Sequence, residues 1–183
     1  MELHDPMDIY RVFPQLPSAE QIQEYRRLSA EQAGGVGVVS TRVNNRDYTA
    51  TVSSFLSVSY DPPTLLLSLY TESRIAQAIM QSGTWALSLL STHQKAQANW
   101  LASPGTPLEG LLNQIDFRRG PATGNVVLAG CLAFFEAETS AIHEAATHSL
   151  VVGSVVAMGE DIEPAQLASP LVHYGQEYRR LSR

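Results

Sequence analysis

The sequence predicts a mainly β protein, an antiparallel barrel with short helical insertions. Three observations carry this expectation. Six or seven segments have strand texture and are separated by Asn, Asp, Gly and Pro turn chemistry. The helical patterns between them are few and short, too sparse for alternating βαβ units or a doubly wound nucleotide fold. The run Leu65-Leu66-Leu67-Ser68-Leu69 is apolar on both faces, as in a strand covered from both sides.

The elements follow in order. Residues Met1 to Pro17 carry Pro6, Pro14 and Pro17 without a sustained period and read as an arm; residues 18 to 183 read as one domain. Ser18 is placed to cap a helix whose Ile22, Tyr25 and Leu28 share a face, and Gly34-Gly35 ends that region. Gly37 to Thr41 is strand-like, Asn44 to Asp47 is turn chemistry, and Tyr48 to Tyr60 is a second strand region closed by Asp61-Pro62-Pro63. Thr64 to Tyr70 is a strand. Thr71 to Gln81 is a short helix with Ile75, Ala76 and Ile79 inward, stopped at Ser82-Gly83.

Trp85 to Leu90 alternates as a strand, a helix is expected from about Thr92 to Leu101, and a shorter helical piece from Leu108 to Ile115. Arg118 to Gly124 is read as a loop. Val126 to Glu138 and Ser149 to Met158 are two long strands around a polar loop, and Pro170 to Tyr174 is the last strand. Trp85, Trp100 and Cys131 are expected in the core, and Gln94 among the capping groups.

The 183 residues are 44% hydrophobic and 16% charged, enough apolar side chain for a core in a single domain. Twelve basic against eighteen acidic residues give a net charge of -6, which disfavours general nucleic-acid or membrane-surface binding. Glu2, Asp5 and Asp8 stand where a secretory signal would place lysines, and the longest uncharged stretch is too polar for a membrane span. The single Cys131 forms no internal disulfide and fits a cytoplasmic location.

Read with a period of two, Thr51, Ser53, Phe55, Ser57 and Ser59 fall on one face and Ala50, Val52, Ser54, Leu56, Val58 and Tyr60 on the other. A row of hydroxyls can donate to an anion or to the polar edge of a ring without a large positive field. The same pattern also fits a half-buried strand with a solvent face of small polar residues. Ser73 and Arg74 at a helix start form an anion corner, so the two features together suit a small phosphorylated ligand. His143 and His148 are five apart, the wrong spacing for a zinc helix, and no metal site is expected. Gly34-Gly35-Val36-Gly37 precedes a strand and lacks the dinucleotide fingerprint.

The stretch Thr51-Val52-Ser53-Ser54-Phe55-Leu56-Ser57-Val58-Ser59-Tyr60-Asp61-Pro62-Pro63 resembles the signature of the flavin reductase-like family, the small partners of two-component flavin-dependent monooxygenases. Gly35 to Thr41, Leu90 to Gln94, Leu128 to Glu136 and Pro170 to Leu181 resemble further family segments, so the likeness covers roughly Tyr25 to Leu181. It implies a split β-barrel homodimer. It also implies FMN or FAD as the flavin, NADH or NADPH as hydride donor, and an oxygenase component that receives reduced flavin. Carried over by residue, Thr51, Val52, Ser53 and Ser54 meet the isoalloxazine edge and ribityl chain. Ser57 and Ser59, with Ser73 and Arg74, hold the phosphate.

His148 would stand beside the nicotinamide as the catalytic residue. Here the family's frequent Gly-Asp-His is Ala146-Thr147-His148, so the histidine is kept and the carboxylate is gone. Ala137 replaces a frequent cysteine, and Gln32 and Gly34 replace an aromatic residue and a threonine. Two other readings stay open on sequence grounds: a flavoprotein that keeps FMN and acts on its own substrate, and a non-enzymatic flavin-binding module.

Overall fold

The computed structural model describes residues 16–103, 108–161 and 169–181. Most of the expected N-terminal arm therefore lies outside the described residues. Helix α1 (Ala19–Ser29) begins as expected at Ser18. Its hydroxyl accepts from Gln21 N at 3.3 Å while Gln21 Oε1 accepts from Ser18 N at 2.9 Å, a reciprocal capping box. The shared face of Ile22, Tyr25 and Leu28 is present but does not pack. Ile22, Tyr25 and Leu28 are 43%, 64% and 49% exposed, and no residue of α1 is buried. The helix is tied at its C-terminal end, where Gly175 N donates to Ala30 O and Tyr174 OH donates to Glu31 Oε2.

Among the described residues twelve strands follow, all paired antiparallel. They are β1 (Gly34–Gly35), β2 (Gly37–Val43), β3 (Arg46–Val52), β4 (Phe55–Tyr60), β5 (Pro63–Tyr70), β6 (Thr84–Leu89), β7 (Phe117–Arg119), β8 (Val126–Leu128), β9 (Ala133–Ala145), β10 (His148–Gly159), β11 (Leu171–Tyr174) and β12 (Glu177–Arg180). The main sheet has the order β3-β2-β6-β9-β10-β5-β4, beside a small β1-β11-β12 sheet and a β7-β8 pair.

The order of the main sheet fixes its shape. β3 and β4 are opposite edges, about 29 Å apart in a flat seven-stranded sheet. Yet only Ser53 and Ser54 join them, a link that reaches about 10 Å. The sheet must therefore curl until its edges nearly meet. Tyr48, Ala50 and Val52 from one edge and Phe55 from the other pack on a single core of Val39, Leu67, Ile79, Trp85 and Val151. This is the split β-barrel, mainly β as the sequence predicted. The expected single strand from Tyr48 to Tyr60 is thus two strands broken at Ser53-Ser54.

Helix α2 (Arg74–Ser82) closes one end of the core with buried Ile75, Ala76, Ala78 and Ile79, and ends on Gly83 at φ 71°. A 3-10 turn over Thr92–Gln94 leads into α3 (Lys95–Ala102). The buried Gln94 side chain closes the start of the 3-10 turn, accepting from Ser91 N, and donates to Ala129 O.

Four other expectations give way to tertiary structure. Leu108 to Ile115 is a chain of turns, because Gly110 at φ 75° interrupts helical backbone. Arg118 and Arg119 belong to β7, where Arg119 forks onto Asp47 at 2.6 and 2.7 Å from 72 residues away. The segment from Val126 breaks at a turn over Ala129-Gly130, so buried Cys131 lies between β8 and β9 rather than in a strand. β9 and β10 run through the expected polar loop to a tight turn at Ala146-Thr147, with Ala146 at φ 53°. Trp85 is fully buried, but Trp100 is half exposed and donates from its indole to Leu111 O at 2.9 Å.

Burial pushes the Cys131 thiol pKa up, against a smaller opposing pull from Arg118. Little thiolate exists near neutral pH, and the sulfur is enclosed by Ala86, Val127 and Phe134. The native protein is expected to react with a disulfide reagent at a negligible rate at pH 7.5, with one thiol released on unfolding. Fast stoichiometric reaction of the folded protein would contradict this burial.

Candidate functional site

The floor of the site is built from register. Ser68 N on β5 donates to Ser54 O at 2.8 Å, and Ser68 stands opposite Leu150 on β10. One pleat along, Leu66 lies between Leu56 on β4 and Val152 on β10. One pleat the other way, Tyr70 stands opposite His148. Side chains two residues apart share a face, so Leu66, Ser68 and Tyr70 line up beside Leu150 and His148. The Tyr70 and His148 rings meet edge-on at 6.0 Å.

Over this floor lies a groove of about 1430 Å³. One wall is the inner side of α1, with Glu24, Arg26 and Arg27, and the other is the barrel slit with Ser53, Ser54 and Phe55. Gly34 and His173 close one end. A Cβ on Gly34 would come 3.3 Å from Ser53 O, so the missing side chain keeps that corner open. Arg27 is committed to Glu24 by two hydrogen bonds of 2.8 and 2.7 Å, which raises its pKa.

The sequence-predicted residues are divided by the fold. Ser53 and Ser54 open onto the groove. Ser73 caps α2, accepting from Ala76 N at 3.3 Å, and with Arg74 it sits just past Tyr70 at the end of the floor. His148 lies on the same floor, with Nδ1 3.0 Å from Thr147 Oγ1; the hydroxyl stands where the family's carboxylate would be. Thr51 turns away and donates to Ala98 O at 2.8 Å, while Val52 packs on the core.

Ser57 and Ser59 are not part of this assembly. They stand opposite Leu65 and Thr64, at the far end of β5 from Ser73 and Arg74. The six residues from Leu65 to Tyr70 alone span about 17 Å, so one phosphate cannot touch both sets. Ser57 and Ser59 instead line a second, apolar groove of about 570 Å³ with Phe135, Val155 and Met158. The strand period, read through the Ser53-Ser54 break, had merged two separate faces.

Sequence reasoning did not single out Ser68, Leu150 or His173. For Ser68 a signal existed: it is the one polar residue within the leucine run from Leu65 to Leu69. His173 carried none, because β1 and β11 bring it to the groove by long-range pairing with Gly34.

The groove fits a flavin mononucleotide. Phe55, Leu66 and Leu150 offer apolar surface for a planar ring, and the hydroxyls of Ser53, Ser54 and Ser68 offer donors for its polar edge. The Ser73-Arg74 corner adds donors and a positive charge for a phosphate. Among the described residues no helix is long and apolar enough to cross a membrane.

Comparisons with known proteins place the chain in a family. Residues 29–182 match the family described as the flavin reductase like domain. The NADH-dependent FMN reductase AsuE2 of Streptomyces nodosus subsp. asukaensis is 31% identical over 160 residues, covering 86% of this chain and 84% of that protein. The reductase component of 4-hydroxyphenylacetate 3-monooxygenase from Thermus thermophilus is 28% identical over 159 residues, with 87% and 96% covered. The crystal structure of BorF, the flavin reductase component of a bacterial two-component tryptophan halogenase, superposes with a TM-score of 0.80. It is 25% identical, with 88% of this chain and 99% of that one covered.

Proposed function

This chain belongs to the flavin reductase-like domain family, and from that premise we propose that it is an NAD(P)H:flavin oxidoreductase. It reduces FMN, with FAD also accepted, and releases the reduced flavin to a partner oxygenase. The observation that carries the reading is the hydroxyl-edged, apolar-floored groove at the barrel slit, with the α2 start at Ser73-Arg74 following the floor strand β5.

A bound flavin supplies the ring that accepts hydride from the nicotinamide, with NAD(P)+ leaving. The protein binds, aligns and shields. Ser53 and Ser54 are held in the two-residue link between β3 and β4 and Ser68 lies within β5, so their donors face developing negative charge with little reorganisation. Phe55, Leu66 and Leu150 exclude water from one face of the groove. Ser73 and Arg74 anchor the phosphate. His148, which Thr147 holds beside Tyr70 on the same floor, orients the nicotinamide donor.

The reading includes a homodimer in the cytoplasm. Edge strand β4 exposes Leu56, Val58 and Tyr60, and β10 exposes Val156 and Met158. An unpaired edge with an apolar row favours pairing with a second subunit. α1, with no buried residue of its own, offers Ile22, Tyr25 and Leu28 to the same kind of contact.

The test is anaerobic oxidation of NADH and NADPH with FMN, FAD and riboflavin in turn. Catalytic turnover with at least one pair is expected. No oxidation with any pair would overturn the enzyme and leave a flavin-binding module. For the phosphate corner, Arg74→Ala is expected to weaken FMN binding by about 1–3 kcal/mol, the scale of a charge-assisted hydrogen bond. Riboflavin, which has no phosphate, should bind the variant as it binds the wild type. Fluorescence titration of both ligands decides, and equal losses for the two would move the phosphate elsewhere.

A further inference from the structure

Helix α2 closes one end of the barrel, but among the described residues no helix lines the other. There the strand ends enclose the apolar cavity of about 570 Å³ that holds Ser57 and Ser59. We propose that this open mouth is a binding site for a compact, uncharged aromatic molecule carrying a hydroxyl group. The site is separate from the flavin groove, and it does not depend on the redox reading above.

The mouth is the open end of the barrel core itself. Leu65 and Leu87 are buried core residues, and Leu89, Phe135 and Val155 pack against that core while lining the cavity. Register builds this wall. Phe135 on β9 stands opposite Leu87 on β6 and Met158 on β10, and Leu65 on β5 stands opposite Gly153 on β10. On the slit side the wall is Phe55, whose ring lies against β1 and β2. A Cβ on Gly35 or Gly37 would come 3.4 Å from that ring. Phe55 and Leu56 border both the mouth and the main groove, so the two spaces are neighbours divided by one stretch of β4.

The lining selects the ligand. Among the described residues no Asp, Glu, Lys, Arg or His lines the mouth, so a phosphate or carboxylate would lose its hydration without a compensating charge. Phe55 and Phe135 offer ring contacts and Met158 a thioether, surfaces that favour an aromatic guest. The polar groups are neutral hydroxyls gathered on β4 and the start of β5, from Ser57, Ser59, Tyr60 and Thr64. Ser59 Oγ accepts from Asp61 N at 3.2 Å and Thr64 Oγ1 donates to Pro62 O at 2.9 Å. Each keeps capacity to bond a hydroxyl on the guest. The volume is that of a small-molecule site, and a barrel mouth is a frequent place for one. A second copy of the chain is the competing occupant. Yet Val58 and Val156, in the exposed row offered to a subunit contact, do not line the mouth. Its deepest residues, Leu65 and Leu87, are 7% and 1% exposed, too recessed for an edge-to-edge contact.

Calorimetric titration of the full-length protein with 2-naphthol tests this without any turnover. Wild type is expected to bind one 2-naphthol per chain, with or without saturating FMN, and to bind the charged analogue 2-naphthoate at least tenfold more weakly. Val155→Phe fills the mouth with a residue suited to a strand and should weaken 2-naphthol binding at least tenfold while FMN affinity stays as in wild type. Met158→Ala, at an exposed position that leaves the fold alone, should weaken it at least threefold. Four results overturn the proposal: no binding by wild type, displacement of 2-naphthol by FMN, equal affinity for the charged analogue, or unchanged affinity in both variants. No binding by wild type together with an altered oligomeric state in Val155→Phe, read by sedimentation, would give the mouth to a second copy of this chain. A wild type that binds 2-naphthol as expected but reduces no flavin would unseat the redox reading and leave this site standing.

Discussion

Exchanging Ser68 for phenylalanine is expected to weaken FMN binding at least a hundredfold, about 2.7 kcal/mol, without unfolding the barrel. Ser68 is half-buried, on the β5 face that forms the groove floor, between Ser54 and Leu150. Its backbone keeps its bonds in the variant, and phenylalanine suits a strand, so the sheet tolerates the change. The ring would project into the space assigned to the flavin and remove one of its edge donors. Flavin titration, with circular dichroism to verify the fold, checks this. A folded variant that binds FMN as tightly as wild type would place the flavin in another crevice.

A second large effect is expected in stability. Glu136 on β9 is fully buried, and its carboxylate accepts from Ala122 N at 3.1 Å, Thr123 N at 2.8 Å and Thr123 Oγ1 at 2.5 Å. Gly120 lies so close that a Cβ there would come 2.2 Å from Glu136 Oε1. The carboxylate thus organises the 120–125 loop that joins β7 to β8, from inside the protein. Glu136→Ala leaves three donors without their acceptor and opens a cavity, a loss of roughly 3–5 kcal/mol. Glu138→Ala, two residues on and exposed, should change stability by no more than about 0.5 kcal/mol. Urea denaturation of both variants measures the difference. A Glu136 variant within about 1 kcal/mol of wild type would remove the carboxylate from this structural role.

The legible part of the fold was the part written in local chemistry. The Ser18 cap, the Asn44-Asn45 turn, the Ser73 cap and the Gly83 stop all rest on residues within a few positions of each other. What escaped is set by partners far along the chain. Arg118 and Arg119 read as loop because Asp47, which Arg119 grips, lies in another strand. The β9-β10 ribbon ran past its expected ends because each strand supplies the other with hydrogen bonds that no local pattern reveals.

The candidate site was legible in the same proportion. The Thr51 to Ser59 stretch pointed to the right segment, and Ser53 and Ser54 do face the groove. The period of two could not show that the chain leaves one edge of the sheet at Val52 and enters the other at Phe55. That break sends Thr51 to α3 and Ser57 and Ser59 to another surface. His173 reaches the groove only through the pairing of β11 with β1.

The two serines joining β3 to β4 have a thermodynamic consequence. They are both the clasp of the cylinder and a rim of its ligand groove, so occupancy and mechanical closure are linked. Ligand at a hundred times its dissociation constant would stabilise the closed form by about 2.7 kcal/mol. Amide protons along those two border strands should then exchange more slowly when FMN is added, while those at the α1 start keep their rate. Cargo would hold the seam shut, and its departure would loosen it.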